Sequence, residues 1–497
     1  MRFHRCVFVV IAFVVGSASA RAQDVAATTR AQGGAEPLVL TLQEAITRAQ
    51  TEGLQARAAR ATRDAARQRD RAFGAALLPQ LSLTGTIPSV NRSINPVVQP
   101  DGSTLYRSQS LNQSSLTMAL TQVLPYTGGE LFINSGLSRL DVTGSTTSRT
   151  WSSTPMLVGI RQDILRPNTQ KWENRAQGLR AEAAERAYAE SMEDVAIAAA
   201  NAFFDYYTAK LNLENAATNA AVNDTLFTLN KGRFEVGKIG ENDLLQSELA
   251  LLRQRVSLDG ARLEHDRALA ALRLTLNLPP GAPLEIVVPS DIPEVVADTA
   301  VAVAQALRNG SQAVDLELQD VQAERAVSEA KYATGIGATV QASMGLNQTG
   351  NEVNAVYRDL LEAQRFNLQV SMPLVQWGGR SARIQAAQLD EERVEHTTRQ
   401  TREQIAQEAH FAALQLAQSR RQLAIAAKAD TVGAKRFEVA KNRYVIGRID
   451  MDNLYQAQNE KDAALVSYLQ SLRGYWVAYY RLRRVTMYDF ATGAVIH

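Results

Sequence analysis

The chain has almost no cysteine. Its 497 residues contain one, Cys6, inside the N-terminal stretch MRFHRCVFVVIAFVVGSASARAQ. That stretch combines basic Arg2 and Arg5, an apolar run over Val7–Val15, and small residues at Ala18-Ser19-Ala20 and Ala20-Arg21-Ala22. The pattern is that of a secretory signal, taken as residues 1–22, with a tail over 23–37. The nine apolar residues are too few to anchor the chain across a bilayer. A chain that has lost Cys6 has no disulfide, no thiolate metal site and no cysteine to carry a lipid.

Histidine is also scarce. Of the five, His4 lies in the leader, His497 ends the chain, and His265, His396 and His410 stand alone. His396 and His410 would be about 21 Å apart on one helix, too far to share a metal. There is no G-x-S-x-G and no phosphate loop. Gly335-Ile336-Gly337 lacks the third glycine of a dinucleotide site and precedes a strand rather than a helix. The sequence therefore gives no enzyme chemistry, no cofactor and no metal site. Nor is one sign of charge in excess. With 53 Lys plus Arg against 51 Asp plus Glu, there is no basic surplus to bind nucleic acid. No later stretch holds eighteen consecutive apolar residues, which excludes a transmembrane helix but not a β-barrel.

Proline is absent from Asn168 to Leu278, and again from Leu374 to the end. Both stretches are rich in Ala, Glu, Gln, Arg and Leu, so each predicts very long helices. A helix over Lys171–Lys231 would be roughly 90 Å long at about 1.5 Å per residue, longer than a globular core, and must pack along other helices.

Within each proline-free stretch the chain repeats itself. Residues 233–246 read RFEVGKIGENDLLQ and residues 443–456 read RYVIGRIDMDNLYQ, an offset of 210. Gly237 and Gly447 are suited to end a helix, with cations around them, and Asp243 or Asp452 to begin the next. Each motif thus predicts the tip of an antiparallel helical hairpin. Outward from the tips the copies stay in register to the C-terminus. Upstream, Leu77–Gly85 matches Ile336–Gly345 at an offset near 259, which implies an insertion of roughly fifty residues among the strands of the first copy. The first repeat is taken as 38–290 and the second as 291–490, with a tail over 491–497. A proline-rich link through Pro279, Pro280 and Pro293 lies between the two.

A second pattern has period two. Leu81–Thr84, Leu116–Leu124, Leu131–Val142, Met156–Ile164, Val340–Met344 and Phe366–Met372 predict strands. Pro88–Ser115 and Gly144–Pro155, rich in Ser, Thr, Asn and Gly, are read as loops, and Tyr126-Thr127-Gly128-Gly129 as a tight turn. Short alternating strands joined by long loops at one end and short turns at the other fit membrane β-strands. A half-buried soluble sheet fits any single segment equally well.

Taken together, the repeated hairpin motif and the junctions Leu165-Arg166-Pro167 and Gln376-Trp377-Gly378-Gly379 resemble the TolC family of outer-membrane efflux and secretion channels over about residues 38–490. The resemblance implies a mixed α and β fold in a homotrimer. Antiparallel strands from each copy would build a shared β-barrel in outer-membrane lipid, and long helical hairpins a tunnel in the periplasm. It further implies the outer membrane of a Gram-negative-type bacterium and service to an efflux or type I secretion system. The partners would be a periplasmic adaptor protein and an inner-membrane transporter.

Under this resemblance Arg233, Phe234, Gly237, Leu244, Arg443, Tyr444, Gly447 and Leu454 form adaptor-docking tips. Asp243, Asp450, Asp452, Asn453 and Gln456 sit at the periplasmic mouth, where threefold symmetry would gather carboxylates into a cation-selecting ring. Helix starts favour Asp in any case, so a plain capping role is the competing reading. The family usually gives two strands per repeat, whereas the first repeat here offers four. Either the inserted hairpin, around Thr127-Gly128-Gly129, stands outside the barrel or the barrel is larger than usual. A periplasmic adaptor would carry one hairpin between β-rich domains, and a coiled-coil structural protein would need no alternating segments.

Overall fold

The computed structural model describes residues 38–98, 101–144, 147–281, 283–288 and 295–497. The expected leader, the tail behind it, and the boundary between the repeats at 290/291 lie outside the described residues. The first repeat runs β1 (Leu38–Thr41), α1 (Leu42–Glu52), α2 (Leu54–Ala76), β2 (Gln80–Val98), β3 (Thr104–Leu124), β4 (Gly129–Thr143), β5 (Ser148–Ile164), α3 (Thr169–Glu235), α4 (Glu241–Thr275) and β6 (Leu284–Val287). The second runs α5 (Thr299–Asn309), α6 (Ser311–Ala333), β7 (Gly337–Gly350), β8 (Leu361–Ser371), α7 (Gly379–Val445) and α8 (Met451–Thr486). A C-terminal pair, β9 (Tyr488–Asp489) and β10 (Ala494–Val495), closes the chain.

The duplication extends to a feature absent from the sequence reading. In each repeat the helical run before the strands is broken into 11 and then 23 residues, at Gly53 and at Gly310. The two glycines have nearly the same extended backbone, φ −60°, ψ 146° and φ −64°, ψ 148°. A Cβ on Gly53 would press into the Ala49 carbonyl oxygen. The helices α3 and α7, each 67 residues, are roughly 100 Å long at about 1.5 Å per residue.

These helices lie side by side as a wall one helix thick. Near the sheet the lateral order is α2–α3–α6–α7, and at the far end it is α4–α3–α8–α7. Half-way along, β1 pairs in parallel with β6 and α1 packs on α3, making the thickest part of the molecule. Its core holds Phe203, Phe204, Leu42, Leu272, Leu472 and Tyr475, all essentially excluded from solvent. Phe203 and Phe204 meet edge to face, ring centroids 5.4 Å apart. Arg483 on α8 bonds Glu193 of α3 at 3.1 Å and Asp489 at 3.5 Å, which ties the C-terminal strands to this girdle.

All six long strands form one antiparallel sheet in the order β2-β3-β4-β5-β7-β8. The inserted hairpin is therefore part of the same sheet as the others. The sheet alternates as the sequence predicts. One row across it reads Leu81, Leu120, Ile133, Val158, Met344, Gln364, and the adjacent row on the opposite face reads Gln80, Thr121, Phe132, Gly159, Ser343, Arg365. Two loop expectations are corrected. Most of Pro88–Ser115 is strand, because β2 continues to Val98 and β3 begins at Thr104, paired residue by residue from Ser89–Gln113 to Val98–Thr104. Likewise β5 begins at Ser148, inside the expected loop over Gly144–Pro155. Backbone pairing persists there although the composition, rich in Ser, Asn and Gln, gives only a weak alternation of side chains.

The girdle core sets the stability of the helical wall. Phe203→Ala is expected to destabilise the protein by about 3–5 kcal/mol, read as a lowered midpoint in thermal or denaturant unfolding.

Candidate functional site at the helical tips

The repeated motif folds into the same turn twice. At the first tip, the Gly237 N–H donates to the Phe234 carbonyl at 2.8 Å and the Lys238 N–H to the Arg233 carbonyl at 2.8 Å. At the second, Gly447 donates to Tyr444 at 2.9 Å and Arg448 to Arg443 at 2.9 Å. Both pairs are the bonds that close a helix on a left-handed residue, and Gly237 and Gly447 have φ +71° and +72°. The returning helices start earlier than the sequence suggests. Their caps are Gly240 and Asp450, which places Asp243 and Asp452 inside the first turn. Asp450 accepts from the Asn453 backbone N–H at 2.9 Å and from its side chain at 2.6 Å. These bonds, the backbone one foremost, hold the Asp450 carboxyl below its ordinary range.

The two tips are latched to each other. Arg233 donates to the Val445 carbonyl at 3.0 Å and its guanidinium lies 5.4 Å from the centre of the Tyr444 ring. The Tyr444 hydroxyl donates to Asn230 at 2.8 Å. Gln246 donates to Asp452 at 2.6 Å. Beneath these bonds Leu226, Tyr444, Met451 and Leu454 form a small dry cluster.

Equal sequence does not give equal surroundings. Tyr444 is buried while its counterpart Phe234 is 40% exposed. Leu454 is fully buried while Leu244 is only partly so. Arg233 bridges the tips, whereas Arg443 is exposed. Gln246 crosses to the other hairpin, whereas Gln456 turns to Glu460 of its own helix. The second tip is thus packed against the first, and the first presents its other flank outward.

A cleft of about 440 Å³ between the tips is lined by Arg233, Lys238, Asp243 and Asp450, among others. Within one copy, then, Asp243 and Asp450 share their cleft with two cations. Among the described residues no cluster of His, Cys, Asp or Glu could hold a metal.

Above the latch runs a seam of asparagines that the sequence reading missed. Asn215 and Asn219 on α3 donate to the two oxygens of Asp462 on α8 at 2.7 and 2.9 Å. Lys461 bonds Asn219 at 3.1 Å, Asn223 reaches Gln458, and Asn230 accepts from Tyr444. Asparagines at spacings of four and seven within an apolar helix face were the available signal. A polar residue at a coiled-coil core position selects one register at a cost in stability. The seam therefore sets the height of one hairpin against the other, and with it the meeting of the tips.

No family model matches the chain. Protein CyaE of Bordetella pertussis is 25% identical over 231 residues, which are 46% of this chain and 48% of that protein. The chain thus matches about half the length of that curated relative. The fold is far more widely shared. The CmeC outer membrane channel of Campylobacter jejuni superposes with a TM-score of 0.64 at 15% identity, over 90% of this chain and 85% of that one. A membrane protein from Pseudomonas aeruginosa gives 0.65 at 15% identity, over 90% and 93%. The outer membrane protein VceC of Vibrio cholerae gives 0.62 at 13%, over 90% and 95%. The likeness to the TolC family first read from the repeated tips is thus a likeness of the whole fold.

Open space surrounds Gly237 and Gly447, so a substitution there acts through backbone strain and not through collision. Gly237→Val and Gly447→Val should each cost about 1–3 kcal/mol locally, seen as faster hydrogen exchange of the tips with the girdle unchanged. Asp450→Ala should free the first turn of α8, because the Asn453 N–H loses its acceptor. Because the folded Asp450 carboxyl titrates low, its contribution is present above the unfolded value. It is lost as pH falls through the folded one. Protection at the start of α8, relative to the intrinsic exchange rate at each pH, should fall over that acid range in the native protein and not change there in Asp450→Ala.

Proposed function

We propose that the chain is one of three copies of a passive outer-membrane channel, each supplying a segment of a membrane β-barrel and of the helical tunnel beneath it. The single observation that carries this reading is that one copy is an open wall. Its sheet ends in two unpaired edges, β2 and β8, and unpaired backbone cannot face hydrocarbon. The helical end is open in the same way. α4 exposes Leu245, Leu249, Leu252, Val256 and Leu263, and α7 exposes Ile425, Val432 and Val439. These stripes follow a heptad spacing and lie on the outermost helices, where a copy of the same chain would cover them.

The outer face of the sheet supports a lipid setting. It carries exposed Leu81, Leu83, Phe366, Leu368 and Val370. Tyr126 and Trp377, 98% and 96% exposed, stand at its base. Towards the other end Trp151 lies under Arg139, 5.5 Å from ring centre to guanidinium, within the ion pairs Arg139–Asp141–Arg149. From Ile164 to Trp151 is about 13 residues, roughly 33 Å along the membrane normal for strands tilted about 40°. Aromatic belts at that separation suit a bilayer.

On this reading the tips lie in the periplasm of a Gram-negative-type cell and are the docking surface for an adaptor that couples the channel to an inner-membrane transporter. Cargo, a small molecule or a protein, passes outward through the lumen. Asp243, Asp450 and Asp452 of three copies surround the inner mouth and oppose anions. An adaptor or a plain coiled coil would have no use for a sheet of this kind.

Met344→Arg, level with Val158 midway between Ile164 and Trp151, should hinder assembly in outer membranes by about 2–4 kcal/mol, while Gln341→Arg on the lumenal face is tolerated. Equal tolerance at both positions would remove the lipid-facing assignment. The double variant Asp243→Ala, Asp452→Ala should raise the resting conductance or weaken cation preference in planar bilayers. Unchanged current and selectivity would return these residues to helix starts alone.

A further inference from the structure

We propose that the copies join through all six strands, β8 of one on β2 of the next, and close an eighteen-stranded barrel in which the inserted hairpin is wall and not appendage. This rests on the trimeric channel reading above.

Pairing is continuous from β2 to β8, so no break marks a point where a smaller sheet could close. Six is an even number, which leaves β2 and β8 antiparallel and lets the edge of one copy meet that of the next in the same ladder sense. Along its lower half the free edge of β2 is not protected against such pairing, since Pro88, Arg92 and Pro96 all lie in the upper half. Gln80 to Ile87 carries no charge and no proline, and β8 has no proline at all. Soluble proteins usually blunt their exposed edges with such residues. The faces also agree, since Leu81 and Leu83 lie on the same side of the sheet as Leu368 and Val370.

Width gives an independent argument. Strands about 4.8 Å apart and tilted about 40° each occupy about 6.3 Å of circumference. Six of them span about 38 Å, and four would span about 25 Å. Directly below stand four helices per copy, α2–α3–α6–α7, which at about 9 Å each span about 36 Å. Six strands therefore meet the helical wall without a step, whereas four leave it about a third too narrow. Both edges also fall where they should, β2 above α2 and α4, β8 above α7.

Eighteen strands give a backbone diameter of about 36 Å, against about 24 Å for twelve, in the range of barrels that hold an aqueous channel. Polar Gln80, Thr121, Ser343 and Arg365 line it. The barrel would then pass bulky hydrated cargo, and the size limit would lie at the helical tips.

Cysteine cross-linking in isolated outer membranes tests this, with Cys6→Ser as background. Ser82→Cys or Thr84→Cys on β2, combined with Asn367→Cys or Gln369→Cys on β8, should give covalent dimers and trimers on oxidation, while Leu83→Cys with Gln369→Cys, on opposite faces, should not. If instead Ser82→Cys on β2 bonds Leu157→Cys on β5 of its own copy, bypassing β3 and β4, or Asn134→Cys on β4 joins copies through Gln369→Cys and no β2 position does, the barrel has twelve strands. The proposal then falls while the channel reading stands. If no β8 position joins copies through either strand, both fall.

Discussion

Backbone amides and carbonyls must be paired wherever water is absent, and the rest of this structure follows from how a single copy fails to meet that requirement. A six-stranded sheet with an apolar outer face has a row of unpaired groups at each end. In water these groups could be solvated, but in lipid each would cost several kcal/mol. In lipid, then, the sheet would be competent only as part of a ring. The helices below obey the same logic with a different force: the apolar stripes of α4 and α7 have no partner among the described residues of one copy and lie under the same two edges. Backbone pairing above and apolar burial below both demand a neighbour on the same side.

The tips show what duplication leaves to packing. Two copies of one fourteen-residue motif make the same left-handed turn, because that turn depends on a local backbone preference and two local hydrogen bonds. Their side chains then diverge. Tyr444 is captured by Asn230 and Arg233, whereas Phe234 keeps an open flank, since α8 lies against α3 and no described element of the same copy packs beyond α4. The asparagine seam fixes which residues meet, so it supports the Arg233–Val445 and Gln246–Asp452 bonds from a distance.

Features set by short-range chemistry were legible in the sequence. Gly237 and Gly447 announced the reversals, the proline-free stretches announced α3 and α7, and Phe366–Met372 announced its strand by strict alternation. Features set by distant pairing were not. The upper halves of β2 and β3 mix Val90, Ile94 and Val98 with many Ser, Asn and Gln and two prolines, so Pro88–Ser115 looked like loop although its backbone is almost fully paired. The breaks at Gly53 and Gly310 were hidden in strongly helical surroundings. Whether the inserted hairpin joins the sheet is decided by the Leu120–Ile133 and Ile133–Val158 registers, which no local pattern encodes. Among the site residues, Arg233, Tyr444 and Asp452 were legible because they stand inside the repeated motif. Their partners Asn230 and Gln246 were missed as site residues, because each acts across the seam between repeats.

The central claim, that one chain is an open third of a closed channel, is tested most directly by imaging the detergent-extracted protein in lipid nanodiscs by electron cryomicroscopy. The account predicts three copies around one axis, every sheet edge paired to a neighbour, and the tips of all copies gathered at the far end of the tunnel. A stable single copy in lipid, with β2 and β8 unpaired or folded back on each other, would contradict it.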